Sequence, residues 1–70
     1  MSKEGVYKII EIVGSSTESW EKAAKVALQK ASKSLKELRV AEVSGMDLHL
    51  SNGKILAFRV RLKVSFKYVG

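Results

Sequence analysis

An α+β fold in the order β-α-β-β is predicted by three features of the sequence. A stripe of small and apolar residues recurs at helical spacing through its middle, an Asn52-Gly53 pair separates two extended runs, and the last run alternates apolar and charged residues. Seventy residues make one domain, 1–70. A chain this short buries only about 60% of the surface that its unfolded form exposes. Small domains usually add disulfides, a structural metal or subunit contacts to reach useful stability, and this chain has no cysteine. Subunit contacts are therefore the expected remedy.

Val6-Tyr7-Lys8-Ile9-Ile10-Glu11-Ile12-Val13 is rich in β-branched and aromatic residues and is followed by Gly14, which predicts a first strand. It is more apolar than strict alternation, so both of its faces should be at least partly covered. A helix should follow, capped by Ser15 in a capping box with Glu18, or by Ser16. Its packing stripe would run through Trp20, Ala24, Ala27, Ala31, Leu35 and Leu38, with Ala23 and Leu28 widening it. Glu21, Lys22, Lys25, Lys33 and Lys36 fall on the wet side, and acids early with lysines late suit the helix dipole. The alanines imply a close approach of helix to sheet. Trp20 is expected as a core or interface anchor away from the second strand.

A second strand starts at Arg39. Ala41 and Val43 are apolar on one parity and Met46, Leu48 and Leu50 on the other, so a bulge is predicted at Ser44-Gly45. Asn52-Gly53 then closes a hairpin. The third strand alternates from Leu56 through Phe58, Val60, Leu62, Val64 and Phe66 to Tyr68, with Arg59, Arg61, Lys63 and Lys67 opposite. Fourteen extended residues would reach about 45 Å, longer than a lone small globule can support. Part of this strand should lie against another subunit, and long uncovered sheet edges point the same way.

Thirteen basic and seven acidic residues give a net charge of +6, and residues 54–70 carry five bases and no acid. A basic strand face of this kind could meet nucleic acid or another polyanion through phosphate contacts, although it lacks interleaved aromatics for base stacking. In an assembly it could equally line the interior, pair with Glu11, Glu37 and Glu42 of neighbouring subunits, or take anionic nucleotide cofactors such as FMN or coenzyme A. No apolar run approaches the roughly 18 residues of a membrane span, and Met1-Ser2-Lys3-Glu4-Gly5 has no signal-like stretch. The lack of cysteine makes the cytoplasm the default compartment and removes thiol chemistry. The single histidine, His49, reads as an exposed strand residue. No triad, phosphate loop or paired-carboxylate motif accompanies it, so the sequence does not predict an enzyme.

Val6-Tyr7-Lys8, Val13-Gly14-Ser15-Ser16, Ala41-Glu42-Val43 and Lys63-Val64-Ser65-Phe66, taken in register, resemble the dodecin family over nearly the whole chain. The resemblance implies a three-stranded antiparallel sheet wrapped around the helix and a hollow homododecamer that binds or stores small ligands, commonly a flavin such as FMN or riboflavin. In that family a tryptophan just before the position of Ala41 stacks on the flavin, and a glutamine on the last strand hydrogen-bonds it. The matching cofactor-binding positions here are Val40 and Arg59. A valine offers no π-face, which removes stacking worth roughly 1 to 3 kcal/mol per ring. The chain is thus more similar to the flavin-less calcium dodecin branch. Calcium requires about six to eight oxygens, and the hairpin supplies two carboxylates, Glu42 and Asp47, with Ser44, Ser51 and Asn52 as weaker donors. Symmetry could multiply one carboxylate into a metal site. The plainer reading makes Glu42 a subunit salt bridge and Asp47 a solvated strand residue.

Overall fold

The computed structural model describes residues 5–67. Four elements follow in the predicted order: β1 (Tyr7–Ser16), α1 (Trp20–Ser34), β2 (Leu38–Ser51) and β3 (Lys54–Lys67). The sheet order is β1-β3-β2, and β3 is antiparallel to both neighbours. The last strand thus fills the gap that the β1-α1-β2 crossover leaves open. The described part is elongated, 53 × 20 × 18 Å, as the length of β2 and β3 requires.

The core lies between α1 and the inward side chains of β3. Val60, Leu62 and Val64 are buried beneath Ala23 and Ala27, with Ile10, Ile12, Ala24, Leu28 and Leu38 packed around them. Here the predicted alternation of β3 holds, and the alanines bring the layers together as expected. Helix and strand come very near one another at Gly14. A Cβ there would sit 2.1 Å from the carbonyl oxygen of Ala23 and 2.8 Å from the Ala27 Cβ. Gly14 is therefore not the end of β1. It is the strand residue that makes room for the helix, opposite Val60 in the register.

The helix begins later than predicted. β1 keeps pairing with β3 as far as Ser16↔Phe58, which holds Ser15 and Ser16 in the strand. Ser19 is the N-cap, in extended conformation, with its Oγ accepting from the backbone N–H of Lys22 at 3.0 Å. Ser16 instead accepts from the Glu18 N–H at 2.9 Å and shapes the connecting turn. The helix also ends earlier, at Ser34. Leu35 is its C-cap, with its N–H bonded to Ala31 at 2.9 Å. Glu37, at φ 55, then turns the chain back, so Leu38 packs on the core from β2 rather than from the helix.

The hairpin turn is as predicted: Asn52 and Gly53 have φ of 51 and 75, the left-handed pair that matches strand twist. The bulge also falls where the parity changes, since the register passes from Val43↔Leu62 to Gly45↔Arg61 and leaves Ser44 unpaired. Two further irregularities were not predicted. Arg39 is skipped near the start of β2, and Leu56 is skipped on β3 between His49↔Ala57 and Leu50↔Ile55. The third strand therefore does not alternate without a break from Leu56. Tyr68, the last inward residue in the predicted pattern, lies outside the described residues.

Candidate functional site

The helix covers β1 and β3 and barely touches β2. The inward face of the β2–β3 arm is left open in consequence. Val43 is 52% exposed, Met46 56% and Leu50 55%, all apolar and all on the side that the helix covers elsewhere. Exposed apolar side chains grouped on one face make that face a candidate contact surface.

The outer face of the same arm carries a different arrangement. Asp47 is directly opposite Arg59, and Arg61 lies one strand pitch further along β3. The two Asp47 carboxylate oxygens accept from Arg59 Nε at 2.7 Å and Arg59 Nη2 at 2.9 Å, a bidentate pair. Arg61 Nη1 adds a third bond to Asp47 Oδ2 at 3.1 Å. Gly45 makes this possible, because a Cβ there would stand 2.5 Å from Arg61 Nη2. The Asp47 backbone is held as well: the Trp20 indole Nε1–H donates to its carbonyl at 3.2 Å. The Trp20 ring meets Phe58 edge-on, with centroids 5.2 Å apart. Trp20 is thus an anchor, as predicted, but it anchors the first turn of α1 to β2 rather than standing clear of that strand.

Asp47 is consequently not a simply solvated strand residue. Hydrogen bonding from Arg59 is the largest influence on its carboxyl and holds it below the ordinary aspartate value of 3.8, with the charges of Arg59 and Arg61 acting in the same direction. The Arg59 guanidinium is correspondingly raised, first by the same hydrogen bond. Because the folded-state pKa of Asp47 is depressed, its contribution to stability is present above the unfolded value and is lost as pH falls through the folded one. In a titration followed by carboxyl carbon NMR, Asp47 should ionise with a midpoint below 3.8. Arg59→Gln should move that midpoint upward, and an unchanged midpoint would count against the pair as its cause.

The cofactor positions Val40 and Arg59 do not meet within one chain. Val40 pairs with Ser65, six residues along β3 from Arg59, or roughly 20 Å. Val40 is 62% exposed and lines a cleft of about 350 Å³ between helix and sheet with Leu28, Leu38 and Arg39. Arg59 lies on the Asp47 pair. A ligand touching both positions would need them from different copies of the chain.

Glu42, the other candidate metal ligand, is exposed and lies opposite Lys63, which has Glu11 on its other side. The Glu11 carboxylate accepts from Ser44 Oγ at 3.2 Å. Among the described residues, no group of three or more His, Asp or Glu side chains converges to hold a metal ion. Asp47 gives its oxygens to two arginines, so the donor set of one chain does not fit calcium. His49 is exposed on β2, as predicted. Of the acids expected to meet the basic strand, Glu37 is instead bonded to Arg39 at 3.0 Å. The fork on Asp47 was missed because it depends on the skipped Leu56. Counted directly from the turn, Asp47 would face Phe58.

The fold is therefore a β-α-β-β chain with a bare apolar arm, in which no group of three or more His, Asp or Glu side chains converges among the described residues. Solved structures with the same fold include the dodecin from Streptomyces davaonensis, with a TM-score of 0.88 and 29% identity over 97% of this chain and all of that one. The dodecin from Streptomyces coelicolor superposes with a TM-score of 0.91 at 26% identity over 99% of each chain. The dodecin family profile matches residues 6–69, and the chain belongs to that family. It is 44% identical over 62 residues to the calcium dodecin of Mycobacterium tuberculosis (strain ATCC 25618 / H37Rv), covering 89% of this chain and 87% of that protein. A crystal structure of calcium dodecin from Mycobacterium tuberculosis, described as calcium-chelating with a novel calcium-binding site, has a TM-score of 0.83 and 42% identity over 91% of each chain.

Proposed function

We propose that this chain is a non-enzymatic subunit of a hollow, cytoplasmic homododecamer that binds or stores small ligands or ions, of the calcium dodecin type, with flavin binding lost or weakened. The observation that carries the reading is the open apolar face of the β2–β3 arm at Val43, Met46 and Leu50, which the chain's own helix does not cover. Other copies of the chain cover it in an assembly. The 44% identity to a calcium dodecin supports the branch.

Two features weigh against flavin as the cargo. Val40 presents no ring to stack on, and Arg59 is already committed to Asp47. For calcium, carboxylates must come together across copies, and of the two hairpin candidates Glu42 is the exposed one, whereas Asp47 is held by two arginines. Polyanion binding is weakened by the same pair, since Arg59 and Arg61 share a carboxylate and only Lys63 and Lys67 of that strand face remain.

Native mass spectrometry of protein purified from its cells tests the reading. The expected result is a species of twelve subunits, about 92 kDa from a chain of 7.7 kDa, that carries no flavin. Calcium adducts removable by chelator would specify the ion. Twelve subunits with stoichiometric flavin mass would favour a flavin-storing dodecin. A monomer would overturn the assembly and favour the polyanion reading. Val40→Trp combined with Arg59→Gln should raise affinity for riboflavin by about tenfold or more, measured by quenching of flavin fluorescence. Unchanged affinity in an intact assembly would mean that these two positions do not form the flavin pocket.

A further inference from the structure

The fork on Asp47 has the form of an occupied anion site. Two guanidiniums from alternate residues of β3 converge on one carboxylate through three hydrogen bonds of 2.7, 2.9 and 3.1 Å. Bidentate guanidinium pairs of this geometry recognise carboxylate and phosphate oxygens alike. The backbone of each part is set by the sheet and not by the carboxylate. Arg59 and Arg61 leave the central strand two residues apart on one face, with Ser15 and Val13 opposite them on β1. Gly45 leaves the space over which the Arg61 guanidinium lies. The Trp20 indole donates to the Asp47 backbone carbonyl, a contact that does not involve the Asp47 side chain.

We propose that Asp47 is the specificity-determining residue of this face: an internal carboxylate that fills a two-arginine oxyanion site and so excludes phosphate- or carboxylate-bearing ligands from it. With Asp47 in place the three side chains carry one net positive charge, and both oxygens of the internal anion occupy the convergent donors. Without it, two adjacent guanidiniums face solvent with nothing between them. An external anion must displace a carboxylate tethered at the same point, which is at a large effective concentration. The inference concerns one chain and stands apart from how many copies assemble and what they store.

Inorganic phosphate is the probe, titrated at low ionic strength and followed by isothermal calorimetry and phosphorus NMR line width. Asp47→Ala should bind phosphate about tenfold or more tightly than the unaltered protein, in line with charge-assisted hydrogen bonds gained from two arginines. Adding Arg59→Gln to that variant should abolish the gain. Asp47→Asn, which keeps the shape and removes the charge, should show a smaller gain of the same sign and carries the test if the alanine variant fails to fold. The proposal is overturned if Asp47→Asn folds with its native circular dichroism and subunit count and gains no affinity. It is equally overturned if the gain in Asp47→Ala survives Arg59→Gln, because the anion then sits elsewhere on the basic strand. Subunit count and flavin content, read in the same samples, report on the storage shell separately.

Discussion

Gly14→Ala should unfold this protein or leave it close to unfolding at room temperature. The added methyl would stand 2.1 Å from the Ala23 carbonyl oxygen and 2.9 Å from its carbonyl carbon, and both atoms belong to the backbone of α1. No side-chain rotation relieves such a contact. The helix must lift from the sheet, and with it go the contacts of Ala23 and Ala27 over Val60, Leu62 and Val64. Overpacking of a tight core costs about 1 to 3 kcal/mol where side chains can adjust. Here the obstacle is backbone, so the upper end or more is expected, against a total stability of about 5 kcal/mol for a chain of this size. Urea denaturation should show a midpoint well below that of the unaltered protein. Gly53→Asn provides the contrast. Gly53 has φ of 75 with nothing within 4 Å of an added Cβ, so the cost is confined to the left-handed backbone, which asparagine visits more readily than most residues, and should stay at or below about 1 to 2 kcal/mol. A small effect at Gly14 would mean that the helix does not approach the strand as described.

Val43→Asp with Met46→Asp should separate folding from assembly. Both residues are more than half exposed in the single chain, and exposed substitutions of this kind usually change stability by about 0.5 kcal/mol or less. If copies of the chain cover the arm, each aspartate becomes a buried, unpaired charge, at several kcal/mol per subunit contact. The expected outcome is a chain that keeps its helix and sheet by circular dichroism and migrates as a monomer or small oligomer. Full assembly of the double variant would show that the arm is not an interface, and the main support for the proposed function would fall.

Sequence and structure part company at identifiable places. The order of elements, the hairpin turn at Asn52-Gly53 and the bulge at Ser44 were legible because each follows from local chemistry: left-handed backbone at the turn, and a change of apolar parity at the bulge. The helix start was misplaced because Ser15, Ser16 and Ser19 all have a capping side chain. Only the pairing of β1 with β3 through Ser16 decides among them. Leu35 and Leu38 fit the helical stripe by spacing, but the turn at Glu37 sends Leu38 to the core from the other direction. Of the site positions, Val40 and Arg59 could be named from family likeness. Nothing in their spacing showed that the register keeps them some six residues apart on β3.

By itself the sequence determined the fold class, the family and the lack of a thiol chemistry, because these rest on residue type, periodicity and composition, which are properties of the chain read in order. Tertiary structure alone decided that Gly14 is the seat of the helix, that Trp20 reaches β2, and that Asp47 holds Arg59 and Arg61. Each of these joins residues far apart in the chain through a strand register. A single skipped residue, Leu56 on one strand or Ser44 on the other, changes which side chains stand opposite one another, and local propensity carries no record of that offset.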